Sequence, residues 1–324
     1  MFEANSINRR LTKKLSLLEF GSIVFVFFIF IYIMLSKTSK FDDLEIYLAT
    51  AKGDVENYFY GYWLLPIFHL LSLLPYEFSC MLWIILSIIG VWFAARVFDG
   101  NSTLAIISYQ MSFVLFLGQI SGIICGFLGL FWWAIHHKKW DLAGLAFLVI
   151  SAKPQSGGLI VLLLWFFSEI NWQHKLRILL IPIFGFLISL IIYPNWVMEI
   201  ISRVDGLVTW GNISLWQWIG PWTFILFIPI LILHIPKQDR FLILVSTFIL
   251  SSPYFSHHDL LTLFIFPIGI IPILLGYIPA ILFQFFGYEG QPSGVLIPLF
   301  IYFSLLFPKI SRKLSFEKSN KNDN

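Results

Sequence analysis

Charge is scarce in this sequence. Asp, Glu, Lys and Arg make up 12% of its 324 residues, whereas hydrophobic residues make up 58%. A soluble domain typically carries about 25% charged and about 45–50% apolar residues. The composition therefore excludes an ordinary soluble protein, and it predicts an all-α polytopic membrane protein whose partner is the lipid bilayer.

Cysteine is nearly absent, and neither sign of charge is in strong excess. The two cysteines, Cys80 and Cys125, both lie in apolar runs, which excludes a disulfide framework and a cysteine metal site. The net charge is only +3, and the basic residues lie in short loops. That distribution is typical of a topology signal and excludes nucleic acid as a partner.

Long apolar runs are what the sequence has instead. The first, from about Leu15 to Leu35, is long enough to span a bilayer, and it follows Arg9, Arg10, Lys13 and Lys14. No small-residue cleavage site follows it. This pattern indicates an uncleaved signal anchor with the N-terminus in the cytoplasm.

Basic residues recur later in four clusters. The clusters are His136–Lys139, His174–Arg177, Lys237–Arg240 and Lys309–Lys313. The positive-inside rule places all four in the cytoplasm, together with the N-terminus. We therefore predict a multi-pass protein of the plasma membrane, with a cytoplasmic N-terminus at 1–14, a single transmembrane domain at 15–308 and a charged cytoplasmic tail at 309–324.

Several apolar runs cannot be single membrane spans, because they are too long or because they begin and end on the same side of the membrane. Thr103–Ile135 is longer than the about 20 residues of one span, and its natural break is Gly118-Gln119. Asp141–Glu169 lies between two cytoplasmic clusters, so it must be a hairpin that turns at Ser151–Gly158, where Pro154 interrupts a helix. Tyr60–Pro75 reads as a re-entrant or interfacial helix. The total is about eleven to thirteen transmembrane or re-entrant helical segments.

Polar residues gather at the outer ends of these segments. They are Asp42 and Asp43 in an acidic outer loop at 37–58, Gln119, Lys153 with Gln155, and the run His257-His258-Asp259 within "SPYFSHHD". Polar groups in a bilayer are costly and usually persist because something uses them. We expect these residues to line one outward-facing cavity.

The residue types suit transfer from a phosphate-linked donor. An acidic residue can act as a general base. A lysine in a low-dielectric pocket suits a phosphate, because it is a compact charge with three donors. A histidine can donate to a departing phosphate or orient it.

Four segments carry a family resemblance over roughly residues 15 to 275. They read "FDDLEIYLATAKGD", "GQISGI", "WDLAGLAFLVISAKPQ" and "SPYFSHHDLLTLFIFP". In this order and spacing the chain resembles the GT-C superfamily of integral-membrane glycosyltransferases, and within it glycosyltransferase family 87. The resemblance implies a GT-C-like helical bundle and a polyprenyl-phosphate sugar donor, typically of mannose. It also implies a glycolipid or glycan acceptor and no cofactor.

The resemblance also implies roles for particular residues. The family's first-loop aspartate is followed four residues later by tyrosine, which selects Asp43 as the base and Tyr47 as a substrate contact. Asp42 is an additional acid that stays a second candidate. Lys153 and His258 would stabilise the departing polyprenyl phosphate in an inverting displacement. His257, Gln119 and Gln155 are further candidate substrate contacts because they stand among the polar residues at the outer ends.

Each residue also has a structural alternative. Gln119 suits a hydrogen bond between helices, Lys153 an anchor at the head groups, and Asp259 a cap for a helix that begins at Leu260. Asp42, Asp43 and the two histidines could instead ligate a divalent metal. A Trp-rich outer loop at 194–218 suits either an interfacial belt or an acceptor platform.

Two other functions stay open at this point. One is a transporter or flippase for lipid-linked saccharides, because broken helices near Gly118 and Lys153 are typical of transporters. The other is an accessory subunit of an envelope-polymer assembly. The acidic first loop favours the enzyme, since a flippase needs no base there.

Overall fold

The computed structural model describes residues 4–36, 41–204 and 211–308. Within these ranges every regular element is a helix, and β-pairing is limited to one isolated bridge between Asn212 and Ser256. The predicted charged tail, including the cluster Lys309–Lys313, lies outside the described residues, as does Trp210 of the Trp-rich loop.

The α-helices follow one another along the chain with short connections. In chain order they are α1 (Ala4–Thr12), α2 (Leu17–Leu35), α3 (Asp42–Thr50), α4 (Leu65–Ser72), α5 (Tyr76–Phe98), α6 (Ser102–Ile107), α7 (Tyr109–Leu117), α8 (Ser121–His136), α9 (Trp140–Ser151), α10 (Leu159–Phe167), α11 (Trp172–Ile192), α12 (Trp196–Val204), α13 (Trp216–Ile219), α14 (Ile228–Ile232), α15 (Lys237–Ser251), α16 (Leu261–Phe264), α17 (Ile271–Leu275) and α18 (Ile278–Phe286). A π-turn at Pro154–Gly158 and 3-10 turns at Tyr62–Leu64, Gly220–Phe227, His257–Leu260 and Gly287–Val295 join or extend them.

Four helices of the described chain are long and apolar enough to cross a membrane. They are α2, α5, α11 and the final segment Glu289–Pro308. A fifth crossing results if α7 and α8 are taken together, although they meet at a bend of 114°. The other apolar helices are shorter, and irregular backbone at membrane depth is tolerated only where protein or water covers it. The prediction of an all-α polytopic membrane protein is confirmed.

Helix α2 begins at a capping box. The Ser16 hydroxyl accepts a hydrogen bond from the Glu19 amide, and the Glu19 carboxylate accepts one from the Ser16 amide. The same carboxylate pairs with Arg96 of α5 at 2.7 Å and accepts a hydrogen bond from the Ser102 hydroxyl at 2.6 Å. This largely buried cluster fixes the start of α2 against α5 and α6.

The acidic segment expected after the first span contains helix α3. Asp42, Asp43 and Glu45 occupy its first turn, where negative charge is favoured by the helix dipole. Leu44 and Tyr47 are buried on the side away from the exposed Asp42 and Glu45, and Asp43 stands one turn before Tyr47 on that buried side. Helix formation therefore separates two neighbouring acids, because successive residues point to different sides of a helix.

The two breaks expected from the sequence are both present. At the first, Gly118 has φ of 70°, and a Cβ atom there would lie 2.8 Å from the Cβ of Leu44. Glycine is required here by the left-handed backbone and by the close approach of α3. At the second, Lys153 leaves the helical conformation with φ −115° and ψ 81°. Pro154 follows it, and proline restricts the residue before it and supplies no N–H.

Helices α5 and α8 approach closely along a row of small residues. A Cβ atom built on Gly126 would lie 2.7 Å from the Cα of Gly90, and one built on Gly90 would lie 2.8 Å from the carbonyl oxygen of Gly122. Small residues let helix backbones come together where no water drives association. This crossing holds the first turn of α8, which carries Ser121.

The chain forms two compact units. One comprises the described part of Phe2–Val208 with His258–Gly269, and the other the described parts of Thr209–His257 and Ile270–Asn324. In the second unit the Asn212 side chain donates to the carbonyl of Pro253 at 3.0 Å and accepts from the amide of Phe255 at 3.1 Å. Asn212 thereby holds the extended start of the "SPYFSHHD" segment.

The close helix crossing leads to a prediction about stability. Gly126→Leu should lower the free energy of unfolding by about 1–3 kcal/mol, because the new side chain meets the α5 backbone and cannot be accommodated by a rotamer change. The measurement is thermal or denaturant unfolding of the purified protein in detergent.

Gly21→Leu is the matched control, because a Cβ at Gly21 of α2 meets nothing within 4 Å. An unfolding midpoint that falls equally in both variants would contradict the importance of the crossing.

Candidate active site

Asp43 faces a buried amide at the bend between α7 and α8. Its Oδ2 atom accepts a hydrogen bond from Nε2 of Gln119 at 2.6 Å. The Asp43 side chain is half buried, whereas Asp42 is exposed and lines a surface groove with Glu45 and Asp54. Of the two acids, Asp43 is therefore the one that bonds to a buried polar side chain.

Gln119 connects Asp43 to a lysine. Its Oε1 atom accepts hydrogen bonds from Lys153 Nζ at 3.2 Å, from the Tyr60 hydroxyl at 3.3 Å and from the Tyr47 hydroxyl at 3.4 Å. An ammonium group can only donate, so the amide oxygen must face Lys153 and the amide nitrogen must face Asp43. One amide thus fixes the separation and orientation of an acid and a cation.

Lys153 is buried at the break between α9 and α10. Its ammonium forms an ion pair with Asp259 Oδ1 at 2.5 Å and donates to Ser121 Oγ at 2.9 Å. The Ser121 hydroxyl in turn donates to the same Asp259 oxygen at 2.8 Å. Lys153 and Asp259 are 1% and 0% exposed, so the pair is removed from water.

His258 completes the group of polar side chains. Its Nε2 atom lies 3.4 Å from Lys153 Nζ and 3.8 Å from Asp259 Oδ1. The imidazole stacks on the Phe113 ring with a centroid separation of 6.2 Å and an angle of 15°. The side chain keeps some exposure, so His258 lies at the edge of the group and not at its centre.

The structure unites some of the predicted residues and leaves others apart. Asp43, Tyr47, Gln119, Lys153 and His258 form one hydrogen-bonded group, which we call the Gln119 cluster together with Tyr60, Ser121 and Asp259. The remaining three predicted residues are not members of it. His257 is buried in the other unit, Gln155 is half buried in the π-turn, and Asp42 is exposed.

Sequence reasoning missed Ser121 and Tyr60 as members of the Gln119 cluster, and it placed Asp259 at the cavity without predicting its contact with Lys153. Ser121 stood two residues after Gln119, in the quoted "GQISGI", and its position in the first turn of α8 was the available signal. Tyr60 carried no local signal. Asp259 does not cap the helix that begins after Leu260, which has no side-chain cap; its carboxylate binds Lys153 and Ser121 instead.

The environment of Asp43 changes its acidity. Burial raises the pKa of the Asp43 carboxyl to about 6, although the Lys153 charge and the Gln119 hydrogen bond act in the opposite direction. The charges of Asp42 and Asp259 add to the increase. A carboxylate with a pKa just below neutrality is ionised at pH 7 and is basic enough to accept a proton during a reaction.

The alternative of a divalent metal site has no suitable ligand group within the described residues. Among those residues, no group of three or more His, Cys, Asp or Glu side chains could hold a metal ion. The cation nearest to Asp43 in the Gln119 cluster is the ammonium of Lys153, which is joined to it through one amide.

An apolar groove adjoins the Gln119 cluster. It has a volume of about 710 Å³ and is lined mainly by residues of α4, α5 and α8, among them Phe68 and Trp83, with Ile120 at the bend before α8. Phe68 stacks on Tyr47 with centroids 4.9 Å apart, and the Trp83 indole donates to the carbonyl of Gly118 at 2.8 Å. The groove therefore runs along the same bend that carries Gln119.

The predicted Trp-rich loop is divided in its packing. Trp196 is buried, and its ring stacks on Tyr62 at 5.1 Å and meets Trp63 edge-on at 5.7 Å. Trp218 and Trp222 are largely exposed. Trp196 thus belongs to the packed interior of its unit, and exposed indoles at this loop come from the later positions.

Comparison with known families identifies the class of the protein. The profile of glycosyltransferase family 87 matches residues 58–250, which is more than half of the chain. The helical membrane fold and this match define a membrane glycosyltransferase, and the chain belongs to glycosyltransferase family 87. Comparison with curated proteins and with solved structures finds no match. The matched range includes Gln119 and Lys153, whereas Asp43 and His258 lie outside it.

The buried ion pair leads to a second prediction about stability. Lys153→Met should lower the free energy of unfolding by about 3–5 kcal/mol, because it leaves the buried Asp259 carboxylate without its counter-charge. A double variant, Lys153→Met with Asp259→Leu, should recover most of that loss, since a buried pair replaced by apolar residues is often no less stable. Denaturant unfolding in detergent measures both.

Asp141→Asn serves as the control, because it breaks an ion pair with Arg177 that is more than half exposed on both sides. Exposed pairs contribute little, so its midpoint should stay near that of the wild type. A double variant less stable than Lys153→Met alone would contradict this account.

Proposed function

We propose that this glycosyltransferase transfers a sugar, mannose in the first instance, from a polyprenyl-phosphate donor to a glycolipid or glycan acceptor of the cell envelope. The observation that carries the proposal is the amide of Gln119, which holds the Asp43 carboxylate on one side and the Lys153 ammonium on the other. A base for an acceptor hydroxyl and a cation for a leaving phosphate are the two groups that such a transfer needs.

The reaction is a single displacement with inversion. Asp43 takes the proton of the acceptor hydroxyl as the hydroxyl oxygen attacks the anomeric carbon of the donor sugar. The bond from that carbon to the phosphate oxygen breaks, and its electron pair leaves with the polyprenyl phosphate. Lys153 and His258 stabilise the negative charge that grows on the phosphate, and Asp43 ends the step protonated.

Other residues act on these groups or on the substrate. Gln119 orients the Asp43 carboxylate, and Tyr47 and Tyr60 hold the Gln119 amide through its oxygen. The reaction as proposed draws on no metal ion or cofactor. Asp42 is the reserve acid, because it stands next to Asp43 in the first turn of α3.

The apolar groove supports a lipid-linked donor. Its lining is formed almost wholly by apolar side chains, and it lies beside the bend that carries Gln119. An isoprenoid chain in this groove would keep its phosphate near Lys153 while its hydrocarbon stays out of water. A soluble nucleotide-sugar donor has no part that would use such a surface.

The charge pattern of the loops supports an active site on the outer face. The basic clusters at His136–Lys139 and His174–Arg177 flank the hairpin of α9 and α10, so its turn at Lys153 lies on the opposite side of the membrane from them. We propose that both termini are cytoplasmic and that the Gln119 cluster opens outward.

Loss of the proposed base should abolish transfer. Asp43→Asn keeps the shape of the side chain but removes its negative charge and its ability to accept a proton as a base. We therefore expect transfer to fall by at least about 10²-fold. The assay uses purified protein in nanodiscs with a radiolabelled panel of polyprenyl-phosphate sugars and measures release of polyprenyl phosphate and transfer to a lipid extract.

Asp42→Asn is the matched control and should keep most of the activity. Full activity in Asp43→Asn, with activity lost in Asp42→Asn, would move the base to Asp42. If the wild type binds a donor but turns over none of the panel, a flippase or accessory role becomes the better explanation.

The acidity of Asp43 sets the expected pH dependence. Because burial raises the Asp43 pKa to about 6, the base is protonated below that pH and ionised above it. The value of kcat/KM should therefore fall about tenfold per unit as pH drops below 6 and reach a plateau above about pH 7. A profile that stays flat down to pH 5 would remove Asp43 as the base.

A further inference from the structure

The buried carboxylate of Asp259 takes no part in the proposed chemistry. Its distances to neighbouring groups, its burial and one unsatisfied oxygen atom all bear on its role.

The ammonium of Lys153 has no free hydrogen in the structure. Four atoms lie within 3.4 Å of its Nζ: Asp259 Oδ1, Ser121 Oγ, Gln119 Oε1 and His258 Nε2. An ammonium group has three donors. A phosphate oxygen can therefore reach Lys153 only by replacing one of these partners.

The partners are unequal in strength. Asp259 makes the shortest contact, at 2.5 Å, and it is the only carboxylate among the four partners. Gln119 and His258 make the longer contacts, at 3.2 Å and 3.4 Å. The contact toward His258, the longest of the four, is the one that a phosphate would replace, which leaves the Gln119 bridge to Asp43 in place.

The Asp259 carboxylate is itself held from one side. Both Lys153 and Ser121 bind its Oδ1 atom, while its buried Oδ2 atom has no hydrogen-bond partner. A residue that served only to stabilise the fold would be expected to satisfy both oxygens, since an unsatisfied buried acceptor is costly. The geometry fixes the position of one oxygen, and Lys153 is attached to that oxygen.

We infer that Asp259 is a positioning residue of the donor site, which holds the charged Lys153 ammonium by one side so that its other side stays available to the donor phosphate. Ser121 aligns the carboxylate for this purpose. The inference rests on the proposed function, because it gives Lys153 the donor phosphate as its ligand. Asp259 touches neither donor nor acceptor in this scheme and acts only through Lys153.

The charge of Asp259 has a pH-dependent consequence. The titratable groups around Lys153 are Asp259, Asp43, Tyr60, His258 and Cys125. In Asp259→Asn the strongest anionic partner is lost, and burial then favours the neutral amine. Raising the pH should remove the charge of Lys153 in this variant well before it does so in the wild type.

The test measures binding of undecaprenyl phosphate to the full chain in nanodiscs between about pH 6.5 and about pH 8.5. The ratio of the Kd of Asp259→Asn to that of the wild type should grow with pH, by about tenfold per unit once the amine is mostly neutral. The ratio cancels the titration of the phosphate itself. Ser121→Ala, which keeps the carboxylate, should weaken binding by a smaller factor that does not change with pH.

Glu19→Gln is the matched control. It removes the carboxylate of another largely buried ion pair, with Arg96, outside the Gln119 cluster. Its Kd ratio should stay near one at every pH even if the protein becomes less stable.

An unchanged Kd in Asp259→Asn, or a loss that is equal at all pH values, would overturn the positioning role while leaving the proposed function intact. If Asp259→Asn does not fold, an unchanged Kd in Ser121→Ala overturns it. If the wild type neither binds undecaprenyl phosphate nor releases it from any donor, the proposed function fails and the inference falls with it.

Discussion

Backbone polar groups that leave a helix within a membrane must find partners in the protein. This constraint governs the arrangement of the chain around Gln119 and Lys153. Each residue stands at a point where a helix stops, at Gly118 and before Pro154, and each break exposes polar groups that lipid cannot satisfy. The carbonyls of Gly118 and Ala152 accept hydrogen bonds from the Trp83 indole and the Gly61 amide, and the Gln119 and Lys153 side chains bond to one another. The residues at the two helix breaks are therefore also residues of the candidate site.

The low dielectric around the Gln119 cluster has two opposite effects. It makes isolated charges unfavourable, which explains why Lys153 is matched by Asp259 and why Asp43 is less acidic than an exposed aspartate. It also strengthens every interaction with charge that develops during a reaction. A site of this kind needs few charged groups, provided that each is held in one orientation. Gln119 supplies that orientation by bonding to Asp43 and Lys153 at once.

The sequence predicted the fold class and the two breaks because their causes are local. Glycine with a left-handed backbone and proline after a non-helical residue leave signals within a few positions. It also predicted Asp43, Gln119, Lys153 and His258 as neighbours, from loop polarity and family resemblance. The choice between Asp42 and Asp43 needed the rotation of helix α3, which places one acid toward Gln119 and the other toward the surface.

The remaining members of the Gln119 cluster depend on contacts between distant parts of the chain. Asp259 and Lys153 are separated by more than a hundred positions, and no periodicity links them. The contact of Ser121 with Lys153 depends on the bend of 114° between α7 and α8, which the sequence does not specify. His257 belongs to the other unit, although it is adjacent to His258 in sequence. Proximity along the chain was a poor guide here because the segment changes conformation within a single turn.

The ion pair between Glu19 and Arg96 has a consequence for how the protein is made. Glu19 leaves the ribosome before Arg96 does, so Glu19 is at first without its counter-ion. The hydrogen bond within the capping box is local and can form at once, whereas the pairing with α5 must wait. The cap of α2 therefore depends only on neighbouring residues, whereas the ion pair that joins α2 to α5 depends on a residue 77 positions later. One carboxylate, that of Glu19, thus takes part both in the local cap and in the long-range ion pair.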